Sequence, residues 1–162
     1  MKTIIVYYSL EGNTDFVAQK IASELNADIL RLSPKKLYPS KGFSKFFWGG
    51  KSAVMGEAPE LEPYSFSARD YDLIIFGTPV WAGTFAPPLR TFINENDMTG
   101  KKFAAFACQG GEGNQKKFKK LKDALSIENF EAELALLDPK KRQSESNEQK
   151  IKEFCQKLRR NE

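Results

Sequence analysis

Apolar and polar positions alternate in blocks along the whole chain. Residues 3 to 8, TIIVYY, are a β-branched and aromatic run, and Val17, Ala18, Ile21, Ala22 and Leu25 follow at helical spacing. That order predicts strand, turn, helix. ADILRL (27 to 32) predicts a second strand. YDLIIFGT (71 to 78) is almost continuously apolar, as expected of a central parallel strand covered on both faces. In APPLRTFI, Pro88 suits a first helical turn and Leu89, Phe92 and Ile93 share a face. KFAAFACQ (102 to 109) predicts the fourth strand, a Lys-rich helix starts near Asn114, and FEAELALL (130 to 137) predicts the fifth strand. Ser146, three residues before Gln149, predicts a capping box for a last helix whose apolar stripe is Ile151, Phe154, Cys155 and Leu158.

Strands alternating with helices imply an α/β fold, an open parallel sheet with helices on both faces. Residues 34 to 66 break the rhythm. They hold Pro34, Pro39, Gly42, Gly49, Gly50, Gly56, Pro59 and Pro63 around the aromatic patch GFSKFFWGG. So many aromatics predict an ordered excursion with a short helix and not a solvated linker. With 162 residues, one domain spanning 1 to 162 is expected.

Composition narrows the chemistry. Histidine is absent, which removes the usual general base and the commonest transition-metal ligand. Cys108 and Cys155 are far apart and form no Cys-x-x-Cys pair, so buried free thiols are expected and no metal site. Any redox or group-transfer chemistry is then expected to be a cofactor's. The formal net charge is +4, with lysines dense in NQKKFKKLKDA (114 to 124) and DPKKR (138 to 142). The first cluster surrounds Phe118, Leu121 and Leu125 at helical spacing and reads as a solvated helix face; with no DNA- or RNA-binding signature, no nucleic-acid partner is expected. No signal-peptide pattern or long apolar span is visible, so no membrane insertion and a soluble, cytoplasmic protein are expected.

In a doubly wound sheet the loops at the carboxyl ends of the strands converge where ligands bind. The turn Ser9 to Thr14 is such a loop. Its backbone N–H groups, the Ser9 and Thr14 hydroxyls, the Asn13 amide and the positive end of the next helix suit a phosphate. It has neither the Gly-x-x-x-x-Gly-Lys of a triphosphate loop nor the Gly-x-Gly-x-x-Gly of a dinucleotide turn. A turn rich in hydroxyls and without a lysine of its own fits a lone terminal phosphate held by neutral donors.

Ile5-Val6-Tyr7, Ser9, Gly12, Thr14, Ala18 and Ile21 resemble the flavodoxin signature with its spacing intact. The resemblance covers residues 3 to 158 and implies a flavodoxin-like doubly wound five-stranded parallel sheet of order 2-1-3-4-5, with FMN at the switch point. On it, Ser9, Leu10, Glu11, Gly12, Asn13 and Thr14 would hold the ribityl phosphate. Thr78, Pro79, Val80, Trp81, Ala82 and Gly83 would wall the isoalloxazine, with Trp81 stacking on it and the Ala82–Gly83 peptide turning toward the flavin N5 according to redox state. Cys108, Gln109, Gly110, Gly111 and Gly113 would approach its pyrimidine edge. Trp48, in the excursion, would cover the ring's other face, form a partner surface or simply pack, with none of the three preferred. No residue of the chain is expected to be catalytic, the chemistry being on FMN.

Two functions fit the resemblance. One is an FMN-binding redox protein passing electrons between redox partner proteins. The alternative is an NAD(P)H-dependent FMN or quinone-type oxidoreductase of the same fold, which takes NAD(P)H and a small acceptor and docks the nicotinamide over the flavin near Lys45 and Lys51. Either is expected as a monomer or homodimer. Receiver domains need an Asp where Gly77 and Thr78 stand, and low-molecular-weight phosphatases need Cys-x5-Arg where Asn114 follows Cys108; both are excluded. The long excursion and the basic charge depart from short acidic electron carriers.

Overall fold

The computed structural model describes residues 1–39, 50–110 and 117–160. In chain order the elements are β1 (Thr3–Tyr7), α1 (Asn13–Leu25), β2 (Asp28–Arg31), β3 (Leu73–Trp81), β4 (Thr84–Phe85), α2 (Pro87–Glu95), β5 (Lys102–Gln109), α3 (Lys117–Leu125), β6 (Glu133–Leu137) and α4 (Glu145–Arg160). The sheet runs β2-β1-β3-β5-β6, with β4 beside β3. All pairs are parallel except β3 with β4. Apart from the two-residue β4, this is the order 2-1-3-4-5 expected from the resemblance.

Successive side chains of a strand point to opposite faces, so each inner strand must be apolar at every position. Ile5, Tyr7, Leu73, Ile75 and Phe106 pack with Val17 and Ile21 of α1 and Phe154 and Leu158 of α4. Ile4, Val6, Ile74, Phe76 and Ala105 pack with Leu89 and Phe92 of α2 and Phe118 and Leu121 of α3. Where β1, β3 and β5 run side by side, Gly77 lies in register with Tyr7 and Phe106. A Cβ at Gly77 would fall 2.3 Å from Phe106 Cζ and 2.8 Å from Tyr7 Cβ, so the absent side chain leaves room for that ring.

Three boundaries differ from the sequence reading. β3 runs on to Trp81, because β4 folds back as a new antiparallel partner, Val80 to Phe85 and Trp81 to Thr84. β6 begins at Glu133, Phe130 having turned into the core beside Phe118. The last helix is capped by Ser144, not Ser146: Ser144 Oγ accepts the Asn147 N–H at 3.2 Å, and the helix starts at Glu145. The turn Asp138–Arg142 ends early enough for Ser144 to reach the first turn, with Asn147 Nδ2 closing on the Arg142 carbonyl at 2.7 Å.

The described parts of the excursion are tied to the body. Pro34 bridges Leu61 antiparallel, with Lys35 N–H to Glu60 C=O at 2.9 Å and Glu62 N–H to Ser33 C=O at 2.7 Å. Thr91 Oγ1 donates to the Pro59 carbonyl at 2.7 Å. Residues 50–54 are helical, and Ser52 Oγ lies 3.1 Å from the Tyr38 hydroxyl. Lys45, Trp48 and most of the aromatic patch lie outside the described residues. Among the described residues no helix is long and apolar enough to cross a membrane.

Candidate functional site

The turn from β1 to α1 is built around two residues. Gly12, at φ 91°, takes the left-handed conformation that lets the chain reverse into the helix. Ser9 Oγ accepts the N–H groups of Gly12 and Asp15, each at 3.2 Å, which fixes the loop as a closed ring. Asn13 and Thr14 then stand in the first helical turn, where N–H groups have no intrahelical acceptor.

A part-buried network braces the turn from behind. Arg31, at the end of β2, donates to the Ser9 carbonyl at 3.2 Å and lies 3.8 Å from Asp15. The Tyr7 hydroxyl donates to Asp15 at 2.5 Å. Burial, reinforced by Asp15, pushes the Tyr7 hydroxyl above its ordinary 10.0, so it stays a donor.

In front of the turn opens a cleft of about 620 Å³ at the carboxyl edge of the sheet, within the usual range of small-molecule sites. Ser9, Leu10, Glu11, Asn13 and Thr14 line it from the first loop; Pro79, Val80, Trp81 and Ala82 from the β3–β4 hairpin; Cys108, Gln109 and Gly110 from the end of β5. Three residues expected here are not on the wall. Gly12 shapes the turn. Thr78 Oγ1 accepts the Ala86 N–H at 2.9 Å and donates to the Pro79 carbonyl at 2.8 Å, pinning the hairpin. Gly83 takes a positive φ in the hairpin turn. Gly111 and Gly113 lie outside the described residues.

Trp81 is held upright by other aromatics. Tyr8 meets it edge-on at 5.6 Å and Tyr38, from the start of the excursion, at 5.0 Å, while the two tyrosines meet at 6.2 Å. Cys108 is buried beneath the cleft, and burial pushes its thiol up to about 12, against a smaller opposing effect of the neighbouring Thr14 hydroxyl. A thiol so protonated is no nucleophile at neutral pH. No group of three or more His, Cys, Asp or Glu side chains among the described residues is placed to hold a metal ion.

Four lining residues were not picked out in the sequence: Gly50 from the excursion and Asp138, Lys140 and Lys141 from the loop after β6. That loop is stitched to the others by backbone contacts. Asp138 N–H donates to the Gln109 carbonyl at 2.9 Å and Lys140 N–H to Asn13 Oδ1 at 3.1 Å. DPKKR was visible as a charge cluster, but nothing near it in sequence points to a turn more than a hundred residues away.

A parallel α/β sheet with its cleft at the carboxyl edge, entered by a helix N-terminus and walled by an aromatic hairpin, defines a nucleotide- or cofactor-binding protein of the doubly wound class. A family model described as Flavodoxin matches residues 2–157, and the chain belongs to that family. Solved structures agree in fold. The chain is similar to a flavoprotein in complex with FMN from Lactobacillus acidophilus NCFM, at 23% identity and TM-score 0.73, covering 86% of this chain and 95% of that one. It is similar to a candidate flavoprotein from Bacteroides uniformis ATCC 8492, at 24% identity and TM-score 0.77, covering 96% and 97%. A flavodoxin from the domain Archaea aligns at 18% identity and TM-score 0.57, covering 96% and 94%.

Proposed function

We propose that the chain binds FMN non-covalently in this cleft and serves as an electron-transfer flavoprotein working with redox partner proteins. The observation that carries the reading is that the phosphate-type turn and the Trp81 hairpin open onto one cavity of about 620 Å³. Either alone is common; together they match a ligand with an anionic tail and a flat aromatic head.

The donors suit that ligand. First-turn N–H groups of Asn13 and Thr14 and the hydroxyls of Ser9 and Thr14 serve the phosphate, helped by the helix dipole. The Arg31–Asp15–Tyr7 network keeps Ser9 in place, so little ordering is left to be done on binding. Trp81, set by Tyr8 and Tyr38, provides an aromatic wall and shields the ring from water. Gln109 and Gly110 offer backbone groups to its polar edge. Bound FMN supplies one- and two-electron redox chemistry; the chain positions it and controls access.

The test is the visible spectrum of the purified protein, before and after incubation with FMN and removal of excess, with the released cofactor identified by mass. Flavin bands and FMN in equimolar yield are expected. A colourless protein after reconstitution would overturn the proposal. Anaerobic mixing of holoprotein with NADPH then separates the two activities of the fold: unchanged colour is expected of a carrier, and rapid bleaching would assign the NAD(P)H-dependent oxidoreductase.

A further inference from the structure

We propose that Lys140, from the loop after β6, is the cation that neutralises the bound phosphate, making that loop a fourth part of the site. This rests on the FMN reading and goes beyond it, because the turn itself contains only neutral donors and an acidic residue. The Lys140 N–H holds Asn13 Oδ1 at 3.1 Å, and a Cβ built on Gly12 would lie 3.0 Å from Lys140 Nζ. The ammonium therefore lies against the phosphate turn at Gly12, and Lys140 as a residue lines the cavity that Asn13 and Thr14 also line.

Charge around the cleft argues for the same residue. Glu11 and Asp138 both line the cavity and would repel a phosphate dianion. Arg31 already holds the Ser9 carbonyl and neighbours Asp15. Lys141 lines the cavity too, but its N–H turns back to the Asp138 carbonyl at 3.0 Å, whereas the Lys140 N–H is bonded to the turn itself. Among the described residues Lys140 makes no side-chain ion pair, and its side chain is exposed, so its charge is available without breaking a bond. The Asn13 contact fixes its backbone, so the flexible part is a stem a few bonds long.

The experiment is titration of apoprotein with FMN and with riboflavin, which lacks the phosphate, for the wild type, Lys140→Met and Lys140→Arg. Lys140→Met keeps most of the stem and removes the charge. Its FMN affinity is expected to fall by about ten- to a hundredfold, the range of a charged hydrogen bond, with riboflavin affinity unchanged. Lys140→Arg is expected to restore most of the loss. The salt dependence of FMN binding is expected to flatten in Lys140→Met. Equal losses for both flavins, or none for FMN, would overturn the role of Lys140 while leaving the cofactor reading intact. A wild type that binds neither flavin would overturn both.

Discussion

At Gly77 the missing side chain is the structural feature. The Phe106 ring occupies the volume a Cβ would need, and Tyr7 closes the other side. Phe106 and Tyr7 are both fully buried, so neither can step aside into solvent. Gly77→Ala is therefore expected to destabilise the fold by about 1–3 kcal/mol, the usual cost of overfilling a core, read from urea unfolding midpoints. An unchanged midpoint would mean that the ring repacks freely. In sequence Gly77 is simply the end of an apolar run, because the ring that excludes a Cβ comes from a different strand. Ser9 and Gly12 were legible for the opposite reason: the Gly12 and Asp15 N–H groups that Ser9 Oγ accepts lie within six residues of it.

Among the elements, the β3–β4 hairpin concentrates strain. Ala82 and Gly83 form its two-residue turn, with φ of 47° and 75° between the closing pair Trp81 and Thr84. Two positive φ values make this the type I′ geometry, in which Asn or Gly is favoured at the position Ala82 holds. Beside it, Thr84 Oγ1 is buried without a hydrogen-bond partner among the described residues. Strain retained at the wall of a ligand cleft fits a functional element and not a structural one. Ala82→Gly is expected to relieve it and raise unfolding stability of the apoprotein by up to about 1 kcal/mol, the left-handed penalty less the entropy glycine adds. A loss of stability would show that the turn is not strained. The periodic pattern predicted β3 but stopped it at residue 78, since a two-residue strand is too short to leave a hydrophobic period.

For the molecule as a whole, burial of ionisable groups sets an alkaline limit. Burial pushes the Cys108 thiol from 9.0 to about 12 and the Cys155 thiol to about 11. Burial likewise raises the Tyr7 and Tyr8 hydroxyls above 10.0. Above pH 9 the unfolded chain releases these protons first and the folded chain retains them, so the unfolded state binds fewer protons and stability falls as pH rises. Cys108 alone contributes a slope of up to ~1.4 kcal/mol per pH unit across that window. Urea midpoints are expected to be flat near neutrality and to fall progressively from about pH 9 to 11. A midpoint constant across that range would contradict the burial of these groups.

The alternation of elements and the three loops that open onto the cleft are legible in the chain, and the sheet order follows from its family signature. The elements and loops are encoded in residues adjacent along the chain, whose periodicity and turn chemistry act locally, while the order of the strands is implied by the resemblance alone. That Tyr38 props Trp81, that Arg31 braces Ser9 and that Lys140 lies on the phosphate turn emerge from the folded chain alone. Those contacts are made where crossover connections return the chain to the same sheet edge, and a lysine brought there from 127 residues away carries no mark of its destination in its own neighbourhood.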